Sequence, residues 1–106
     1  MNKEISASEA VILRDKNKDV VFLDVREHSE LAICRIDGAL HIPMGEVTER
    51  PGALHRDAPL IVLCHHGMRS LSVVQYLETK GFQNAINLAG GIHAWAVDVD
   101  QEMEQY

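Results

Sequence analysis

No apolar run in the chain approaches the roughly 20 residues needed to cross a bilayer. The opening residues, Met1-Asn2-Lys3-Glu4-Ile5-Ser6, lack the apolar core of a secretory leader. The expectation is a cytoplasmic protein with no membrane partner. Basic residues are scarce: 10 Lys and Arg stand against 16 Asp and Glu, a net charge of −6. That balance argues against a nucleic-acid partner. Cysteine is nearly absent, with only Cys34 and Cys64. In a cytosolic chain such residues serve chemistry or core packing more often than a staple. Internal repeats, low-complexity segments and linkers are also missing. One domain over residues 1–106 is expected, long enough to build a core without disulfides.

What is present alternates between strand and helix. Apolar residues make up 46% and charged residues 25%, as in an ordinary globular protein. Ile5 suits a small edge strand. Ser6-Ala7-Ser8-Glu9 has the form of a capping box, with Glu9 three residues after Ser6. The helix it opens, with Ala10, Leu13 and Val11 or Ile12 inward, should end in the polar run Asp15 to Asp19. Val20 to Leu23 and Leu60 to Leu63 are continuous β-prone apolar runs, the pattern of strands buried on both faces. A short helix is expected over Glu27 to Ile33, with Leu31 inward. Further strands are expected at Ala39 to Ile42 and Ala85 to Leu88. Between Gly45 and Leu54 a helical turn is plausible, broken at Pro51-Gly52. A helix from Ser70 would carry Leu71, Val74 and Leu77 inward and stop at Gly81. Gly90-Gly91 should turn into a last helix bearing Ile92, Ala94 and Trp95. The acidic tail, Asp98 to Tyr106, is expected to pack loosely. This alternation points to an α/β layered fold with a mainly parallel sheet. Ligands gather at the C-terminal ends of strands in such folds, where Asp24, Arg26 and Cys64 fall.

The stretch with most chemistry is Cys64-His65-His66-Gly67-Met68-Arg69-Ser70. A strand ends in a cysteine, a short loop follows, and a helix begins. Backbone N–H groups of such a loop, and the positive end of the helix, can converge on the sulfur. Those surroundings lower a thiol pKa and make a nucleophile at neutral pH. Arg69 can fold back across the loop mouth and attract an anion or sulfur donor. Gly67 allows a turn that a side chain would block. His65 and His66 can raise the positive potential or relay protons. Ser70 either donates to the sulfur or caps the helix. The bland alternative is an inert, buried core cysteine. A metal site of Cys64, His65 and His66 is not expected, because adjacent histidines should point apart and no second ligand pair is suitably spaced. His28, His41, His55 and His93 are read as ordinary surface or half-buried residues. No cofactor is implied.

Four segments in order resemble the rhodanese-like domains: Asp24-Val25-Arg26-Glu27, Ile36-Asp37-Gly38-Ala39-Leu40-His41-Ile42-Pro43, Cys64-x-x-Gly67-x-Arg69-Ser70, and Asn87-Leu88-Ala89-Gly90-Gly91-Ile92-x-Ala94-Trp95. The resemblance covers nearly the whole chain. It implies a three-layer α/β fold with a central, mainly parallel five-stranded sheet and helices on both faces. It implies a sulfurtransferase in which Cys64 takes a sulfane sulfur from thiosulfate or a persulfide and passes it to a thiophilic acceptor, cyanide in the assay. His65, His66, Gly67, Met68, Arg69 and Ser70 would then contact the substrate. Cys-x4-Arg resembles the sulfurtransferase loop. The Cys-x5-Arg loop of related phosphatases and arsenate reductases is one residue longer. Many members carry Gly-His where this chain has Cys34-Arg35. The run Ile33 to Ile36 and the Cys-His-His-Gly loop look like rhodanese domains working with ubiquitin-activating-type adenylating enzymes. A sulfur-carrier protein, such an adenylating enzyme or a cysteine desulfurase are accordingly possible partners. The rivals are a non-catalytic binding module and a protein-to-protein persulfide relay poor with thiosulfate. Cys34 is either a resolving thiol or a packing residue. Arg26 is expected to pair with Glu27 or Glu30. Asp24 is expected to accept hydrogen bonds from the loop beneath the site, with direct proton transfer as the sharper alternative. Trp95 is read as core.

Overall fold

The computed structural model describes residues 3–106. Its strands are β1 (Glu4–Ile5), β2 (Val21–Asp24), β3 (Leu40–His41), β4 (Leu60–Leu63) and β5 (Ala85–Leu88). Its α-helices are α1 (Ala7–Lys16), α2 (His28–Leu31), α3 (Met68–Thr79) and α4 (Gly91–Asp98). Two 3-10 segments, Met44–Glu49 and Pro51–Ala53, fill the stretch before β4 where a helical turn is expected.

The five strands form one sheet in the order β1-β5-β4-β2-β3, and every pairing is parallel. Successive side chains of a strand point to opposite faces, so each inner strand feeds two cores. Leu60 and Val62 of β4 join Leu23, Val73, Val74, Leu77 and Phe82 on the α3 face. Ile61 and Leu63 join Phe22, Ala7, Ala10, Ile92 and Trp95 on the face of α1 and α4. This doubled burial is why β2 and β4 read as unbroken apolar runs. Trp95 meets Phe22 edge-on at 5.4 Å and lies in the core, as expected.

Several boundaries differ from expectation, each for a visible reason. The capping box of α1 is present: Ser6 Oγ accepts from Glu9 N–H at 3.1 Å, and Glu9 accepts from Ser6 N–H at 3.0 Å. Helix α3 begins at Met68, two residues before Ser70, because Gly67 takes φ 106° and turns the chain early. Its inward residues are Ser70, Val73, Val74 and Leu77, with Leu71 only half-buried. Helix α2 is shorter than Glu27 to Ile33. The Arg26 guanidinium draws on the carbonyls of Glu30 and Cys34 at 3.3 and 2.8 Å, which folds the chain back and leaves Ile33 exposed. Gly81, at φ 90°, follows α3 as its stop signal. Among the described residues, no helix is long and apolar enough to cross a membrane.

Parallel pairing brings the C-terminal ends of β2, β4 and β5 to one edge. There Val25 N–H bonds the Leu63 carbonyl at 3.0 Å. Asp24, Cys64 and Asn87 therefore fall within two residues of one another in register, at the edge where ligands gather in such folds.

Candidate active site

Cys64 follows β4 directly, and its side chain is almost fully buried. Three donors meet its sulfur: Gly67 N–H at 3.1 Å, Ser70 N–H at 3.4 Å and Ser70 Oγ at 3.3 Å. The first turn of α3 thus aims its otherwise unpaired N–H groups, and the positive end of its dipole, at the sulfur. Burial pushes the Cys64 thiol up. The hydrogen bonds from the Ser70 hydroxyl and from the loop backbone more than offset this and leave it below the ordinary thiol value. An inert core thiol would not need so many donors, because a neutral thiol is a weak acceptor.

The loop is held from behind. Ile92 N–H bonds the Cys64 carbonyl at 2.8 Å, and His93 N–H bonds the His65 carbonyl at 3.1 Å. Gly91 makes this approach possible, since a Cβ there would lie 2.5 Å from both carbonyl oxygens. Asn87, buried in β5, accepts from Ser70 Oγ at 2.6 Å and donates to the Gly67 carbonyl at 3.2 Å and to Glu4 at 2.9 Å. The sequence motif includes Asn87 but assigns it no role. The available signal was a polar, β-poor residue in a buried strand.

Charged groups pair differently than expected. Asp24 and Arg26 form a fully buried ion pair, with 2.8 Å between Oδ2 and Nη2. Asp24 takes the Arg26 N–H and guanidinium, so it is not an acceptor for the Cys64 loop. Burial opposes the charge on Arg26, but Asp24 and Tyr106 hold its pKa above the ordinary value. The partner of Glu30 is Arg69, not Arg26: Nη1 and Nη2 donate to its two oxygens at 2.7 and 2.8 Å. Arg69 therefore does not stand free over the loop mouth. The pairing keeps Glu30 well below the usual carboxylate range, against partial burial, with help from Tyr106 and the Glu27 N–H. Met68 is exposed, at 75%.

The acidic tail does not pack loosely. It brings Tyr106 back over the loop, where the hydroxyl donates to Glu30 at 2.7 Å and accepts from Arg26 at 2.9 Å. Burial and Glu30 push the Tyr106 phenol up to about 12, with Arg26 opposing. Its ring stacks on His65 at 3.8 Å, and His65 stacks on His66 at 3.9 Å. The two histidines thus lie face to face, contrary to the expectation that they diverge. Burial and then His66 lower the pKa of His65. Cys34 packs against the α1 and α4 core, and burial pushes its thiol up against the pull of Arg26. That favours packing over attack on a persulfide.

A family model described as Rhodanese-like domain matches residues 6–98. The chain belongs to the rhodanese-like family. Among its relatives is a putative sulfurtransferase of Bacillus subtilis, YtwF, 37% identical over 93 residues, which are 88% of this chain and 89% of that protein. Thiosulfate sulfurtransferase GlpE of Coxiella burnetii is 37% identical over 95 residues, 90% of this chain and 88% of its own. Among solved structures, a rhodanese-like domain protein of Staphylococcus aureus superposes with a TM-score of 0.84 at 33% identity, covering 98% of both chains. In this rhodanese-like domain, Cys64, Gly67 and Ser70 of the third resembling segment and Gly90 and Gly91 of the fourth meet around one loop.

Proposed function

We propose that this rhodanese-like domain is a sulfurtransferase that works through a persulfide on Cys64. The observation that carries the reading is the convergence of Gly67 N–H, Ser70 N–H and Ser70 Oγ on a single buried sulfur. Donors fixed in a dry site stabilise charge without reorganising, and they serve the thiolate and then the persulfide anion. In the first half-reaction the Cys64 thiolate attacks the outer sulfur of thiosulfate. A Cys64 S–S bond forms and sulfite leaves with the electron pair of the broken bond. In the second, a thiophilic acceptor such as cyanide or a thiolate takes the terminal sulfur and restores the Cys64 thiolate. Two half-reactions through one covalent intermediate give ping-pong kinetics. The backbone of residues 65–69 cradles the sulfur. Asp24 and Arg26 hold the strand end, and the short step from Cys64 to Arg69 suits a sulfur better than a larger tetrahedral oxyanion.

A relay that takes sulfur from a protein persulfide is the second reading. It is favoured by the bidentate Glu30 carboxylate, which already compensates the Arg69 charge a thiosulfate dianion would seek. A sulfur-carrier protein, an adenylating enzyme or a cysteine desulfurase fits as partner in that case. Retention of both Cys64 and Arg69 counts against a non-catalytic binding module.

Intact-mass measurement after thiosulfate, glutathione persulfide or a loaded cysteine desulfurase tests both readings. Wild-type protein should gain roughly 32 Da, removable by cyanide or thiol, and Cys64→Ala should gain nothing. Labelling by persulfides alone would select the relay. Labelling of Cys64→Ala, or of neither protein by any donor, would sink the enzyme reading.

A further inference from the structure

Beside the nucleophile, and outside the role just proposed for it, lies a group of three imidazoles. His65 and His66 come from the loop, and His93 comes from the first turns of α4. One nitrogen from each lies within 4.8 Å of the other two. We propose that His65, His66 and His93 form a binding site for a borderline divalent cation of the zinc class.

Two independent observations support a ligand here. First, the three side chains come together from two elements, the loop and α4, and the backbone fixes that meeting. His93 N–H holds the His65 carbonyl at 3.1 Å, so the α4 histidine is tied to the loop histidine. Second, His65 Nε2 is buried and has no hydrogen-bond partner among the described residues. Buried polar atoms are almost always paired, and an unpaired imidazole nitrogen is a ready metal ligand. The His65 ring is meanwhile oriented from both faces, by the stacked Tyr106 ring at 3.8 Å and the stacked His66 ring at 3.9 Å.

Imidazole suits Zn, Cu and Ni rather than Mg or Ca, which prefer oxygen. Zinc–nitrogen bonds of about 2.0–2.1 Å put tetrahedral ligand atoms roughly 3.4 Å apart. The outermost nitrogens must therefore close by somewhat more than an ångström. His66 and His93 are exposed and can rotate to do so, while His65 is held. Three protein ligands leave one tetrahedral position for water or for a sulfur anion. Because His65 directly follows Cys64, an ion here sits on the nucleophile's own loop.

The test is calorimetric titration of Zn2+ into the untagged full chain, reduced and metal-free, together with Cys64→Ser, His93→Ala and His66→Ala. Cys64→Ser removes the strongest competing ligand and keeps the imidazoles. The expected result is one ion per chain in wild type and in Cys64→Ser, with affinity at least about tenfold weaker in each histidine variant. Circular dichroism of His93→Ala, altered at an exposed position, checks that the fold survives. The inference is overturned if wild type binds no Zn2+ up to millimolar concentration. It is equally overturned if binding disappears in Cys64→Ser or persists unchanged in the folded histidine variants. Because the readout is binding, it stands or falls apart from the persulfide measurement above.

Discussion

Ser70 supplies two of the donors that reach the Cys64 sulfur, its N–H and its hydroxyl. The hydroxyl has one proton and two acceptors, since Asn87 Oδ1 is 2.6 Å away. While Cys64 is a thiol, the neutral amide is the better acceptor. Once the thiolate forms, its charge competes for the proton. The hydroxyl thus acts on the ionised form, and removing it should raise the Cys64 pKa. A net hydrogen bond is worth roughly 0.5–1.5 kcal/mol, about a two- to tenfold change in an equilibrium. Ser70→Ala should therefore lower the rate of Cys64 alkylation near pH 7 by about two- to tenfold, with the midpoint of the rate-against-pH profile moved upward. Ser70→Thr keeps a hydroxyl and should keep the midpoint. If the Ser70→Ala midpoint stays in place, the backbone donors alone set the thiolate. The upward direction follows because the native pKa lies below the ordinary thiol value through bonds that favour the charged form.

At the scale of elements, the Gly90-Gly91 turn joins α4 to the loop. Gly91 has φ 61°, and a Cβ there would lie 2.5 Å from the carbonyl oxygens of Cys64 and His65. Gly38 makes a useful control, because it also has positive φ, at 81°, but a Cβ added there would meet nothing within 4 Å. Left-handed backbone costs an L-residue about 1–2 kcal/mol, so Gly38→Ala should lose about that much in urea unfolding. Gly91→Ala adds a backbone clash and should lose on the order of 3 kcal/mol or more. Equal losses would mean that α4 shifts freely and does not brace the loop. These elements also show what a sequence can disclose. β4 and residues Val21 to Leu23 of β2 were legible because burial on both faces leaves apolar, β-prone residues there. The α1 cap was legible because Ser6 and Glu9 bond each other locally. The Cys64 loop was legible because its spacing is short and its chemistry unusual. Glu30 with Arg69, Asn87 with Ser70, and His93 with His65 were not legible as pairs. Their partners stand 39, 17 and 28 positions apart, and only the parallel sheet brings them together. The extents of α2 and α3 depart from expectation because the Arg26 guanidinium and the Gly67 turn, rather than helix propensity, set them.

Over the whole molecule, the acidic tail changes the surface that an incoming donor meets. Tyr106 lies across the loop through Arg26, Glu30 and His65, and Glu104 and Gln105 lie with it beside Cys34, His65 and His93. Arg26 is matched by Asp24, and Arg69 by Glu30. Near the loop the guanidinium charges are thus compensated, and the net charge of −6 sets the far field. A thiosulfate dianion approaches against that field, whereas an uncharged polysulfide donor does not feel it. Salt screens such repulsion over a Debye length of about 30 Å at 0.01 M and about 8 Å at 0.15 M. Raising ionic strength between these limits should therefore increase kcat/KM for thiosulfate severalfold and leave it nearly unchanged for an uncharged donor. Neutralising the tail, as Asp98→Asn, Asp100→Asn, Glu102→Gln and Glu104→Gln together, should flatten the salt dependence without touching Cys64. A fall in kcat/KM with salt would overturn this picture, because it would require a local cationic patch, Arg69 released from Glu30 or the histidines, to capture the dianion ahead of the global field.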